Sequence, residues 1–268
     1  MSGFQIEGST ALITGASAGI GRELARQLAG RAGSLILVAR RRERLEELRD
    51  ELTKRDPNLN IHVQVADLSD DRAVVELCDW VAREKIMIDF LINNAGLGDV
   101  GPFATSELRR VEEMLAVNIT ALTLLTRLLL PGMIARKRGA ILNVSSSASF
   151  LPLAGFAVYA ATKAYVTSFS EAIRTELQDT GVTVTSLCPG PVHTEFTEVA
   201  HRNRSARERS GPEFTHVGVE DVVAAALKAV ARGKALVIPG FVMKLAMLLV
   251  RLTPLPVLRL ASQLSAKK

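Results

Sequence analysis

The stretch Thr14-Gly15-Ala16-Ser17-Ala18-Gly19-Ile20-Gly21 (TGASAGIG) begins where the apolar run 10–14 (TALIT) ends. It leads directly into residues whose apolar positions recur with helical spacing. Glycines in a turn from strand to helix let the backbone approach a diphosphate closely. They also aim N–H groups and the helix N-terminus at its negative charge. The spacing is G-x-x-x-G-x-G. A glycine cluster by itself is ordinary turn chemistry; its place after the first strand makes it a phosphate loop.

Outward from that loop, strand and helix patterns alternate. Runs 34–39, 61–66, 88–92, 140–144, 182–187 and 235–238 are short and apolar, as buried strands are. Ile20, Leu24 and Leu28 make one helical stripe, and Leu45, Leu48 and Leu52 make a second. Val74, Leu77, Cys78 and Val81 mark a third helix, with Ser69 as its expected N-cap. A long helix is expected from about 107 to 130. Another carries Tyr159 and Lys163 to near Thr180, with Gly181 as its C′ residue. A further helix is expected from about 221 to 232. Such alternation implies βαβ units and a parallel sheet covered on both faces. With no linker composition and no fixed repeat, the expectation is one doubly wound α/β domain, 1–240. Residues 241–268 form a C-terminal helical appendage of that domain.

The chain has 268 residues, 48% of them hydrophobic and 23% charged, which suits a globular protein with a sizeable core. Its net charge of +5 is spread along the chain, with clusters at Arg40, Arg41, Arg42 and Arg44 and at Arg202, Arg204, Arg207 and Arg209. No nucleic-acid partner is expected. Cys78 and Cys188 offer neither a disulfide framework nor metal-ligand spacing. His62, His193, His201 and His216 are scattered, so no metal is expected. The first ten residues lack a basic segment followed by an apolar run, so a cytoplasmic location is expected.

Arg40 lies 19 residues beyond Gly21, just after the second strand. There an acid holds a free ribose 2′-hydroxyl in dinucleotide-binding folds, whereas an arginine accommodates a 2′-phosphate. The sequence reads Val38-Ala39-Arg40-Arg41-Arg42 with no acid before Glu43. Arg40 and Arg41 are therefore read as phosphate ligands, favouring NADP(H). Arg42 and Arg44 are read as the solvated start of a helix.

Tyr159-Ala160-Ala161-Thr162-Lys163 places a phenol and an ammonium at i and i+4 of a helix, one turn apart on one face. A solvated lysine beside an amphipathic tyrosine would look the same. A nearby cation also favours the phenolate, and that is a chemical arrangement.

These motifs together resemble the single-domain short-chain dehydrogenase/reductase family, a Rossmann-type fold, over roughly 9–238. The resemblance rests on the ordered set TGASAGIG at 14–21, Asp67-Leu68, Asn93-Asn94-Ala95-Gly96, Asn118, Asn143-Val144-Ser145-Ser146, Tyr159-x-x-x-Lys163 and Pro189-Gly190-Pro191-Val192-His193-Thr194. It implies Tyr159 as general acid/base, with Lys163 as its electrostatic partner and ribose ligand. Ser146, thirteen residues before Tyr159, is implied to bind the substrate oxygen. Asn118 is implied to position a water linked to Lys163. The implied cofactor site comprises Gly15, Ser17, Gly19, Ile20, Gly21, Arg40, Arg41, Asp67, Leu68, Asn94, Ala95, Gly96, Tyr159, Lys163, Pro189, Gly190, Val192 and Thr194. Asp67 falls at the adenine and Thr194 at the carboxamide. Ala18 stands where many relatives carry serine, which removes a hydroxyl but no backbone N–H.

In the chemistry so implied, Tyr159 protonates a carbonyl oxygen as hydride reaches its carbon, and Ser146 stabilises the developing charge. Lys163 and the oxidised nicotinamide are expected to lower the phenol's pKa. The partner is then a small carbonyl compound or its alcohol: a ketone or aldehyde, with a 3-oxoacyl or steroid-like compound among the candidates. A homodimer or homotetramer is implied, with the Tyr159 helix and the long helix before it at an interface. The alternative is a nucleotide-sensing or scaffolding protein of the same fold, disfavoured because a binder has no need of a proton relay. A sugar-nucleotide epimerase is disfavoured because no substrate domain follows the sheet.

Segment 195–214, rich in Arg and Ser, corresponds to the family's substrate loop. Its arginines are read as keeping that loop solvated, with attraction of an anionic substrate as the alternative. Cys188 and Trp80 are read as packing residues, and His193 as structural or substrate-lining. Segment 241–264 is apolar but is interrupted by Lys244, Arg251 and Arg259 and broken by Pro254 and Pro256. It reads as two short amphipathic helices that cap the substrate cleft, pack on a subunit or lie on a membrane surface, in that order.

Overall fold

A computed structural model of the protein describes residues 3–200, 216–254 and 256–259. Among them seven strands form one parallel sheet: β1 (Thr10–Thr14), β2 (Ser34–Ala39), β3 (Asn60–Val65), β4 (Phe90–Asn93), β5 (Gly139–Val144), β6 (Val182–Leu187) and β7 (Leu236–Val237). Their order is β3-β2-β1-β4-β5-β6-β7, so the winding reverses between β1 and β4.

Strands β1, β2, β4 and β5 are mostly apolar because both faces of the sheet are covered there, whereas the edge strand β3 and strand β6 alternate apolar with polar residues. Successive side chains leave a strand on opposite sides. Ala11 and Ile13 of β1 enter one core with Leu24, Leu28, Leu45 and Val222, while Leu12 enters the other with Val74, Leu91, Leu125 and Ile141. The first face is covered by α1 (Gly19–Leu28), α2 (Arg42–Arg55) and α8 (Val219–Ala231). The second is covered by α3 (Asp71–Arg83), α5 (Leu122–Ala135) and α6 (Ala157–Glu176).

Several boundaries depart from the sequence reading. The long helix is α4 (Leu108–Leu115) and α5 joined by a π-helical turn, Ala116–Ala121. Helix α3 is capped by Asp70, whose carboxylate accepts from the Arg72 N–H at 2.9 Å. The Ser69 hydroxyl is engaged by Asp67 Oδ1 instead. Helix α6 ends at Glu176, short of Thr180, so Gly181 is not its C′ residue. Gly181 serves the entry to β6: its φ is +79°, and a Cβ there would collide with the Lys137 carbonyl oxygen. In the tail, α7 (Glu195–Ala200) and α8 are followed by α9 (Phe241–Leu252), a break at Thr253–Pro254 and a helical turn at 256–259. The tail therefore takes the expected two-helix form as far as it is described.

Buried amides tie the centre of the sheet to its helices. Asn93 of β4 and Asn143 of β5 are register partners, and Asn93 Nδ2 donates to Asn143 Oδ1 at 2.9 Å and to Thr126 of α5 at 3.1 Å. Asn143 Nδ2 donates to Ser170 of α6 at 2.9 Å.

Candidate active site

The reversal between β1 and β4 opens a crevice at the carboxyl ends of the strands, where open α/β sheets bind ligands. Thr14, the last residue of β1, stitches it together. Its Oγ1 donates to the Ile92 carbonyl at 3.2 Å and accepts from the N–H groups of Asn94 and Ala95 at 2.9 and 3.0 Å. Asn94 Nδ2 answers by donating to the Thr14 carbonyl at 2.8 Å. In the loop that follows, Gly15 and Gly19 have φ of +66° and +51°, conformations that favour glycine. A Cβ on Gly21 would collide with the Gly15 carbonyl oxygen and the Asn94 amide. Ile20 packs against the core beneath the loop, and Thr194 lies over it, 3.2 Å from where a Gly19 Cβ would sit. The cradle is lined by backbone, as diphosphate binding requires.

The arginine cluster is arranged differently from the expectation. Arg41 and Arg44 both hold the carboxylate of Glu195, Arg41 at 3.0 Å, and these two guanidiniums, Arg44 first, keep that carboxyl below the ordinary carboxylate range. Arg41 also donates to Ser17 Oγ at 3.3 Å. Arg40 turns instead toward Asp67, 3.9 Å away. Asp67 accepts from Ser69, and Leu68 is buried beneath. Arg44, set aside from sequence as a solvated residue, thus shares one carboxylate with Arg41, while Arg40 faces Asp67 beside them. With Glu195 showing that the pair holds a carboxylate beside the glycine-rich loop, these residues fit a dinucleotide carrying a 2′-phosphate.

Tyr159 and Lys163 lie on one face of α6, both buried, with the ammonium 5.7 Å from the centre of the phenol ring. Lys163 Nζ donates to the Val144 carbonyl at the end of β5 at 2.8 Å. A Cβ on Gly96 would lie 3.3 Å from that nitrogen, so the Asn94-Ala95-Gly96 turn passes directly over it. Ser146 follows β5, accepts the Ala148 N–H at 3.1 Å, and its hydroxyl pulls the pKa of the Tyr159 phenol downward. Burial pushes the phenol up to about 12, against that pull, and pushes the ammonium down to about 8. The expected lowering of the phenol by Lys163 is not seen in the chain by itself: loss of water around the phenol raises it, and the downward pull comes from Ser146.

Asn118 occupies the π-helical turn. Its Oδ1 accepts from Leu97 N–H at 2.8 Å, and its Nδ2 donates to the Leu97 carbonyl at 2.9 Å and to Thr162 Oγ1 at 3.0 Å. It braces the crevice wall to α6 through its own side chain. Pro189 accepts the Ser147 N–H at 2.8 Å, Gly190 is covered by Met243 of α9, and Val192 packs on the core.

The apolar lining was not legible from sequence. Phe156 stacks on Tyr159 with ring centroids 4.2 Å apart, and Phe196 of α7 tilts over it at 5.4 Å. Phe196 also rests on Gly98, and Val100 N–H donates to the Ala200 carbonyl at 3.0 Å, so α7 lies across the crevice. His193 stacks on His216 with centroids 4.2 Å apart. The arginines at 202, 204, 207 and 209 and His201 lie outside the described residues. A separate open cavity of about 680 Å³, bordered by Phe4, Arg138, Gly139 and Val182, sits at the opposite, amino-terminal edge of β5 and β6, away from this chemistry.

A buried phenol, a hydroxyl and a cation in one crevice can hold an oxygen atom and pass a proton to it. The comparisons with known proteins agree with that geometry. The chain is 37% identical over 214 residues to the NADP-dependent 3-hydroxy acid dehydrogenase YdfG of Escherichia coli O157:H7, covering 79% of this chain and 84% of the relative. It is 39% identical, with the same coverage, to sulfoacetaldehyde reductase 2 of Chromohalobacter salexigens. The solved short-chain dehydrogenase of Sphingobium yanoikuyae in complex with NADPH superposes with a TM-score of 0.80 at 33% identity, over 87% of this chain and 88% of that one. The short chain dehydrogenase family model matches residues 9–205, and the chain belongs to that family.

Proposed function

We propose that the protein is an NADP(H)-dependent oxidoreductase that interconverts a ketone or aldehyde and its alcohol. The observation that carries this reading is the convergence of Tyr159, Ser146 and Lys163 in one crevice beside a backbone-lined phosphate loop. The loop 15–21 would hold the diphosphate and Arg41 with Arg44 the 2′-phosphate. Asn94 to Gly96, Tyr159, Lys163, and the turn from Pro189 to Thr194 would hold the nicotinamide half. The bound dinucleotide supplies a hydride to the carbonyl carbon, or takes one from the alcohol.

Every other part belongs to the chain. Ser146 Oγ donates to the carbonyl oxygen and steadies the charge that develops there. Tyr159 Oη delivers a proton to that oxygen, and takes it back in the reverse direction. Lys163, fixed by the Val144 carbonyl, keeps a positive charge beside the phenol. Asn118 holds the Leu97 wall and the Thr162 turn of α6 in place. Phe156, Phe196 and neighbouring Leu97 and Leu153 surround Tyr159 with apolar surface, which favours a carbonyl compound with an apolar body.

Residues 1–240 are proposed as one folding unit with 241–268 packed on it, in a homo-oligomer that uses the outer sides of α5 and α6. Cys78 and Cys188 are free thiols, as suits the reducing interior of a cell. Turnover of NADPH and NADH across aldehydes, ketones and acyl thioesters tests the reading. Oxidation of NADPH by one carbonyl class is expected; a panel in which nothing turns over, or in which NADH serves equally, overturns it.

A further inference from the structure

A surface helix ordinarily has one apolar face; α9 has two. Its inner face carries Met243 and Met247, both buried, with Met243 resting on Gly190 and the helix packed along the 3-10 turn Ser147–Phe150. Its outer face carries Phe241, Leu245, Leu248, Leu249 and Leu252, which are 81, 48, 52, 59 and 72% exposed. At helical spacing these five side chains fall within an arc of roughly 100°, opposite Met243. The apolar strip thus points away from the protein, and no other described element covers it. Lys244 and Arg251 line one edge of the strip, and both are exposed.

The charges decide what covers the strip. Residues 241–268 carry five cations, Lys244, Arg251, Arg259, Lys267 and Lys268, and no acid. A two-fold pairing of α9 with a second copy would set Lys244 of one chain against Arg251 of the other, with no acidic side chain in the tail to separate them. A surface bearing phosphate headgroups neutralises those cations and takes up the leucines just below them, which is how interfacial helices bind. We infer that α9 docks on the surface of an anionic lipid bilayer, lying flat with Phe241, Leu245, Leu248, Leu249 and Leu252 in the acyl boundary. This is not a spanning segment. The run Leu108–Ala135 is long and apolar enough to cross a membrane, but Ala121, Leu125 and Met133 commit it to the protein core.

The test is co-sedimentation of the full chain with phosphatidylcholine vesicles, with and without phosphatidylglycerol, at low and high salt. The control is a Leu248→Glu, Leu252→Glu double variant, whose circular dichroism reports folding and whose changed residues touch no part of the crevice. The wild-type chain is expected to pellet with the anionic vesicles, more at low salt, with binding falling about tenfold or more in the variant. Failure of the wild-type chain to pellet, or equal binding by the folded variant, overturns the inference. So does a drop in mass by light scattering in the variant without any vesicle binding by the wild type, since a second copy then covers the strip. Each readout is independent of turnover, so it stands or falls apart from the proposed reaction.

Discussion

Tyr159 and Lys163 have traded places on the pH scale. Burial lifts the phenol to about 12 and drops the ammonium to about 8, so in the chain alone the lysine is the stronger acid. Replacing Tyr159 by Phe removes the proton but leaves the rings of Phe156 and Phe196 their partner. Turnover is expected to fall by about 10²- to 10⁴-fold, the worth of a general acid, with the NADPH dissociation constant nearly unchanged by fluorescence titration. Lys163 predicts a stability signature. Its folded pKa lies below the unfolded value, so between pH 8 and 10.5 the unfolded chain holds more protons and stability rises with pH. Against Lys163→Met, the wild-type chain should gain roughly 3 kcal/mol across that window in urea unfolding; a flat difference refutes the assignment. The chemistry at this scale was readable because a phenol and a cation four apart need only one helical turn to meet. The size and direction of the shifts were not, since they depend on Gly96 and α7 closing over the site from distant parts of the chain.

At the scale of elements, α7 is the part that sequence hid most completely. Six residues in a stretch read as a solvated loop instead form a strut. Glu195 is pinned by Arg41 and Arg44 at one end, Phe196 lies against Tyr159 in the middle, and Ala200 is bonded to Val100 at the other. The Glu195 carboxylate sits where the proposed 2′-phosphate would be held. Glu195→Gln is expected to tighten NADPH binding by about 2- to 5-fold, the worth of an exposed ion pair, and to leave NADH unaffected; equal effects on both dinucleotides would refute the overlap. The strands, by contrast, were legible to within two residues at each end, because most strands of a parallel sheet buried on both faces are short apolar, β-branched runs. Helix ends were less so. Asp70 rather than Ser69 caps α3 because Asp67 captures the serine first, and α6 gives way after Glu176 to a turn in which Asp179 and Gly181 both have positive φ, a turn that periodicity does not show.

At the scale of the molecule, alternating strand and helix was enough to imply the doubly wound sheet, and the phosphate loop after β1 was enough to locate its crevice. What lies on the outside was not implied, because a surface is decided by partners outside the chain. Leu115 and Leu128 on the long helical run and Tyr165 on α6 remain exposed there, with Tyr165 stacked on Phe169 and bonded to Thr123. Light scattering should give two or four times 28.9 kDa, and Tyr165→Glu should shift the mass toward a single chain. A wild-type chain already at that single mass rules the interface out. The position of α9 has one more effect. Its inner side leans on Gly190 and on the turn that follows Ser146, so whatever holds its outer side also fixes how far the mouth of the crevice stands from that support. On a bilayer, an amphiphilic carbonyl compound would then arrive by lateral diffusion, and its supply would be counted per unit area and not per unit volume.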